Sequence, residues 1–176
     1  MTTLMQVTAH EKRAMSSQVE AVGREMTRYG LVDRIRSMAV AGIFLRLALA
    51  AGFLSAVADR FGLWGLPGTP EVAWGGFDPY LAYTGKLLWF LPAGLVPAAG
   101  WATTVLEVAL AVGLLAGVRL RAVALASGVL LSVFAVTMTV ALGPEPPLSS
   151  SVWSAAAGAF LLASLRPAPG DVGAGG

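Results

Sequence analysis

An all-α integral membrane protein, a four-helix bundle with both termini on the cytoplasmic side, is the fold class this sequence predicts, on three observations. Its 176 residues are 56% hydrophobic, with a mean hydropathy of +0.73. Only 12% are charged, against about a quarter in soluble domains. The apolar residues gather into four runs, most of them near the roughly 20 helical residues that a bilayer core about 30 Å thick requires. These runs leave no room for a separate soluble domain, so a single membrane domain is expected.

Taken in order, residues 1–37 are polar and mixed in charge. The first apolar run lies too far along for a cleaved signal peptide. Within this segment Leu31, Ile35 and Met38 fall at i, i+4 and i+7, one face of an amphipathic helix at the membrane surface. The transmembrane domain, residues 38–166, then carries spans at about 38–57, 97–117, 122–142 and 148–165, the last slightly short. Residues 167–176, at the end of RPAPGDVGAGG, have no pattern able to bury anything and read as a disordered tail.

Lys and Arg in the connections set the orientation. The N-terminal segment carries six of them, and the link VRLR carries Arg119 and Arg121. The loop GPEPPLSS carries none, and the long loop before the second span only Arg60 and Lys86. The N-in, C-in arrangement with two outward loops follows. Because VRLR is too short for a detour, spans two and three form an antiparallel hairpin. Ten arginines against two lysines, with abundant Ala, Gly and Val, read as GC-rich bacterial coding. That composition places the chain in a bacterial inner membrane.

Two ionisable residues stand inside the spans, Arg46 in FLRLALA and Glu107 in TTVLEVALA. By helical rise Arg46 lies roughly 12 Å from Met38 and 17 Å from Val57, and Glu107 about 15 Å from either end of its span. An isolated charge at that depth costs at least about 2.5 to 3.5 kcal/mol, so such residues usually face the bundle interior and pair. An Arg46–Glu107 ion pair is therefore expected, with the hydroxyls of Thr103 and Thr104 beside the carboxylate. Such a pair fixes helix register or lines a polar pocket or proton route, and the residues alone leave both open. Ser154 and Gly158 form a small-residue face suited to helix contact.

The long loop, residues 61–92, holds eight of the chain's fifteen aromatics. Trp and Tyr favour the membrane boundary, so a helix over about Pro79–Trp89 is expected to cap the outer mouth of the bundle. A cap could also shelter a quinone headgroup or dock a partner, with Asp59, Arg60, Asp78, Tyr80, Tyr83 and Lys86 as its polar contacts.

Several chemistries are excluded. There is no cysteine and a single histidine, His10, so thiol relays, iron–sulfur clusters, bis-histidine haem and recognisable metal-ligand sets are ruled out. Phosphate-loop, dinucleotide, zincin and nucleophile-elbow motifs are missing as well, so no catalytic residue can be named. With a net charge of only +2, nucleic-acid binding has no support.

FLRLALAAGFLSAVADRFG, the hairpin LEVALAVGLLAGVRLR and the loop WGGFDPYLAYTGKLLWFLP together resemble the DoxX-like family, which includes the small membrane subunit of thiosulfate:quinone oxidoreductase and the MauE proteins. The resemblance covers roughly residues 39–166, and Arg46, Glu107 and Arg121 are its family-like positions. It implies a four-helix bundle associated with a membrane redox complex or with redox-enzyme maturation. It brings no cofactor site, although a quinone contact is consistent with it. Three functions follow as expectations. The first is a non-catalytic or quinone-contacting subunit bound to a redox partner or to its own copies. The second is a small transporter or proton conductor using Arg46 and Glu107, and the third an assembly factor for a redox enzyme.

Overall fold

The computed structural model describes the backbone of residues 2–165 and the side chains of Gln18 and residues 30–165. The expected tail at 167–176 lies outside the described residues. Among these every regular element is a helix, with no strand. The helices are α1 (Thr2–Arg60), α2 (Phe77–Leu87), α3 (Val96–Ala116, entered through a 3₁₀ turn at Ala93–Leu95), α4 (Leu120–Leu142), α5 (Glu145–Ser149) and α6 (Val152–Ser164). Three stretches are long and apolar enough to cross a membrane: Gly30–Arg60, Ala93–Ala116 and Leu120–Leu142. The chain is an all-helical membrane protein.

By density of contacts it divides into Met1–Ala41 and Gly42–Gly176. The first unit is the N-terminal length of α1, which continues into the apolar run with no break at residue 37. Its expected apolar face, Leu31, Ile35 and Met38, is more than half exposed, and so is Val32 between them. Ser37 returns its hydroxyl proton to the carbonyl of Arg34 at 2.9 Å, which satisfies a polar side chain within the helix.

In the second unit the core draws on α1, α3, α4 and α6. Ala50, Ala111, Ala124 and Ala159, one from each helix, are fully buried. Leu49, Phe53, Leu110, Leu114, Leu162 and Ala163 pack around them. Small residues let helix backbones approach closely where lipid offers no hydrophobic drive to association. Gly158 meets Leu45, while Ser154, expected to share that face, is exposed. Outward-facing Val105, Val112, Val133, Val140 and Leu161 are all more than half exposed, as a lipid-facing surface requires. Ser127, Ser132 and Thr139 bond to carbonyls four residues back, so their hydroxyls need no water.

The ends of α3 and α4 fall within two residues of those expected. Gly117 closes α3 in the left-handed region at φ 72°, the usual αL cap. Arg119 also takes a left-handed conformation, φ 45°, which costs an L-residue roughly 1–2 kcal/mol and makes the hairpin tight. The fourth apolar run departs from expectation. It is interrupted at Ser150–Ser151 and leaves only the 13-residue α6 as apolar helix. The cause is local: Ser149 and Ser150 both donate to the carbonyl of Pro146, at 3.2 and 2.5 Å. Ser151 follows at φ 57°, so the hydroxyls compete with the helix ladder. The cap helix forms as α2, two residues earlier than expected, and packs against α3 and α4.

Candidate functional site

The site forms where α1 ends. Phe61 and Gly62 fold back onto the carbonyls of Ala58 and Asp59, and Asp59 and Arg60 are left in the last helical turn, both almost wholly buried. Adjacent helical residues point about 100° apart, so the two side chains engage different partners. The Asp59 carboxylate accepts the Trp74 N–H at 2.8 Å and the Gly75 N–H at 3.3 Å. This anchors the loop. Gly75 is required there because at φ 64° a Cβ would lie 2.5 Å from the Pro67 nitrogen.

Arg60 turns the other way. Its Nη1 donates to Thr104 Oγ1 at 2.8 Å and its Nη2 to Glu107 Oε1 at 2.7 Å. The same Nη2 stands 2.6 Å from Oε2, at ion-pair distance but out of line for a hydrogen bond. Glu107 Oε2 and Arg60 Nε are therefore buried without hydrogen-bond partners. The guanidinium carbon lies 4.1 Å from the Tyr80 ring centroid and 5.5 Å from that of Trp74, within cation–π range. Trp74 meets Tyr80 edge to face at 5.2 Å. Phe77 and Trp101, 4.4 Å apart, continue the aromatic layer. Thr104 passes its proton to the Gly100 carbonyl at 2.8 Å, so its oxygen is free to accept from Arg60.

Removing two charges from water costs several kcal/mol for each, repaid only by close geometry and further hydrogen bonds. Here Arg60 and Glu107 are only 3% and 2% exposed at their side chains. One carboxylate, one threonine and two aromatic faces compensate the single cation.

The expected ion pair is thus corrected: Glu107 meets Arg60, and Arg46 has another partner. Arg46 Nη2 donates to the Leu115 carbonyl at 3.2 Å, roughly 12 Å along α3 from Glu107 by helical rise. A Cβ on Gly117 would stand 3.0 Å from Arg46 Nη1. The physical reason is that α3 ends here. Its last carbonyls have no intrahelical donors, and the negative end of its dipole favours a cation.

Other expected positions sort accordingly. Asp59, Arg60, Tyr80, Thr104 and Glu107 converge. Thr103 is only half-buried and makes no side-chain hydrogen bond among the described residues. Asp78 and Lys86 are exposed on α2. Tyr83 is half-buried with its ring 6.0 Å from Trp74. Burial pushes its hydroxyl above the ordinary tyrosine range, so it stays a protonated donor. Arg119 and Arg121 stand exposed at the α3–α4 hairpin. Trp74, through its ring over Arg60, and Gly100, through its carbonyl, also belong to the cluster. No group of three His, Cys, Asp or Glu able to hold a metal occurs among the described residues.

Chemically, the cluster offers a sealed carboxylate with one oxygen held by the ion pair but without a hydrogen bond, a guanidinium N–H without an acceptor, and a phenol whose bond to the Gly100 carbonyl is long, at 3.5 Å. No known protein-family model, curated protein or solved structure matches this chain.

Proposed function

We propose that this chain is a DoxX-like membrane subunit of a quinone-linked redox assembly in a bacterial inner membrane. In this reading α1, α3, α4 and α6 form a four-helix bundle with both termini cytoplasmic. Arg119 and Arg121 hold the hairpin on the cytoplasmic side. The cap helix α2 then lies at the outer mouth, over Arg60 and Glu107.

The observation that carries the reading is a buried polar pair beneath an aromatic layer: Arg60 Nε, which has no acceptor, and Glu107 Oε2, which meets Arg60 Nη2 at ion-pair distance without a hydrogen bond. They fit a quinone headgroup: an N–H to donate to a carbonyl oxygen and a carboxylate oxygen to accept from a hydroxyl. When bound, the quinone supplies paired electron and proton chemistry. This chain's own residues bind the headgroup, orient it against the Tyr80 ring, exclude water and accept its hydroxyl hydrogen bond at the Glu107 carboxylate. The electrons come from a partner, for which Asp78, Tyr83 and Lys86 on α2 offer polar contacts. By itself the chain is not an enzyme in this reading.

The near-complete burial of the pair favours a second reading, an assembly factor in which Arg60 and Glu107 only pack. One experiment separates the two. The C-terminally tagged protein is solubilised from native membranes in mild detergent, and copurifying proteins and quinones are identified by mass spectrometry. A stoichiometric redox partner with quinone, the quinone lost on Glu107→Gln while the partner stays, is the expected result. Recovery of the chain alone, free of quinone, sinks the subunit reading.

A further inference from the structure

A second built feature lies at the opposite end of α3, outside the Arg60–Glu107 cluster. A groove of about 430 Å³ opens where the α3–α4 hairpin meets the end of α6, within the roughly 300–1,000 Å³ of small-molecule sites. Its rim carries Arg119 and Arg121, and its wall is apolar, with Leu125, Leu162 and Leu165 among the lining residues. Among the described residues neither arginine has an acidic partner or a side-chain hydrogen bond. Arg46 adds a third guanidinium against Gly117, itself part of the lining, and its Nε is buried without a partner. Among the described residues of the second unit, Asp59, Glu71, Asp78 and Glu145 lie in or beside the loops, and Glu107, midway along α3, is paired with Arg60. Among the described residues no acid stands at the hairpin beside Arg119 and Arg121.

From this juxtaposition we infer that the groove is a binding site for an anionic phospholipid, with the phosphate on Arg119 and Arg121 and an acyl chain along Leu125 and Leu165. Guanidinium groups bind phosphate in a bidentate fork, and basic pockets between membrane helices hold anionic headgroups in this way. A free anion would use the arginines but gain nothing from the leucine wall, whereas a zwitterionic lipid would use the wall and lose the net charge. The tight turn through Gly117 and Arg119, both left-handed, brings the two arginines to one rim. Sequence reading accounts for Arg119 and Arg121 by orientation alone, which requires no groove.

The test uses the full chain in mild detergent, examined by native mass spectrometry with phosphatidylglycerol, phosphatidylcholine or inorganic phosphate added. One phosphatidylglycerol per chain is expected to be retained, with phosphatidylcholine at least ten-fold weaker. Arg119→Gln with Arg121→Gln should lower retention roughly thirty-fold, from the contribution of two basic residues at a lipid surface. That variant also removes orientation signals, so Leu125→Trp is the companion. It keeps every charge and should still lose retention by narrowing the groove. Equal retention of the two lipids, unchanged retention in Leu125→Trp, or complete displacement by millimolar inorganic phosphate would each overturn the inference, the last by making this a simple anion site.

Discussion

Arg46 and Arg60 lie on one helix and are accommodated by opposite means. Arg60, at the loop end, is almost wholly buried and bound to a carboxylate, a threonine and two aromatic faces. Arg46, toward the hairpin end, is half-buried and, among the described residues, hydrogen-bonds only to backbone oxygen at the terminus of α3. The difference is one of dependence. A cation against helix-end carbonyls gains from partial charges that exist in any case, whereas the sealed cation rests on a single charged partner. Removing that partner leaves an uncompensated charge, the costliest outcome.

The contrast predicts unequal effects. Glu107→Leu, which strands Arg60, should lower stability by about 3–5 kcal/mol, read as thermal unfolding of the full chain in detergent. Adding Arg60→Met should restore most of that loss, since apolar replacement of a buried pair is often neutral. A single mutant within about 1 kcal/mol of the parent, against that range, would show that the pair contributes little to holding the bundle. Next in size is Gly75→Ala, which pushes a methyl group into backbone at a left-handed position. A cost on the order of 1–3 kcal/mol is expected, with faster proteolysis of the 61–76 loop. Smallest is Arg46→Leu, about 0.3–1 kcal/mol by the worth of a cation at a helix C-terminus. Should it match Glu107→Leu, the two arginines would not differ as described.

Much of the fold is legible in the sequence because its signals are local. Length and hydropathy delimit α3 and α4, Gly117 marks the end of α3 through a backbone angle few other residues adopt, and the aromatic loop announces α2. Ser149 and Ser150 were legible in principle as helix competitors, but a hydropathy window averages them into the fourth run. The site was half legible. Glu107 and Thr104 stand out because a buried carboxylate needs donors close by. Arg60 is legible as a contact of the cap, but its pairing with Glu107 is not, because the relative register of two helices is not written in either one. Depth was counted from Met38, yet α1 continues unbroken through that residue and Arg60 reaches back inward from the helix end. A cation at a span's edge is ordinarily expected to snorkel outward; here Tyr80 and Glu107 draw it the other way.

Asp59 and Arg60 occupy consecutive positions, one gripping the loop amides of Trp74 and Gly75, the other gripping α3 beneath α2. The last turn of α1 is therefore a yoke: a pull on the loop is transmitted to the guanidinium through a single peptide unit. The two loop amides become natural reporters, and their hydrogen exchange should quicken whenever the carboxylate below is uncovered.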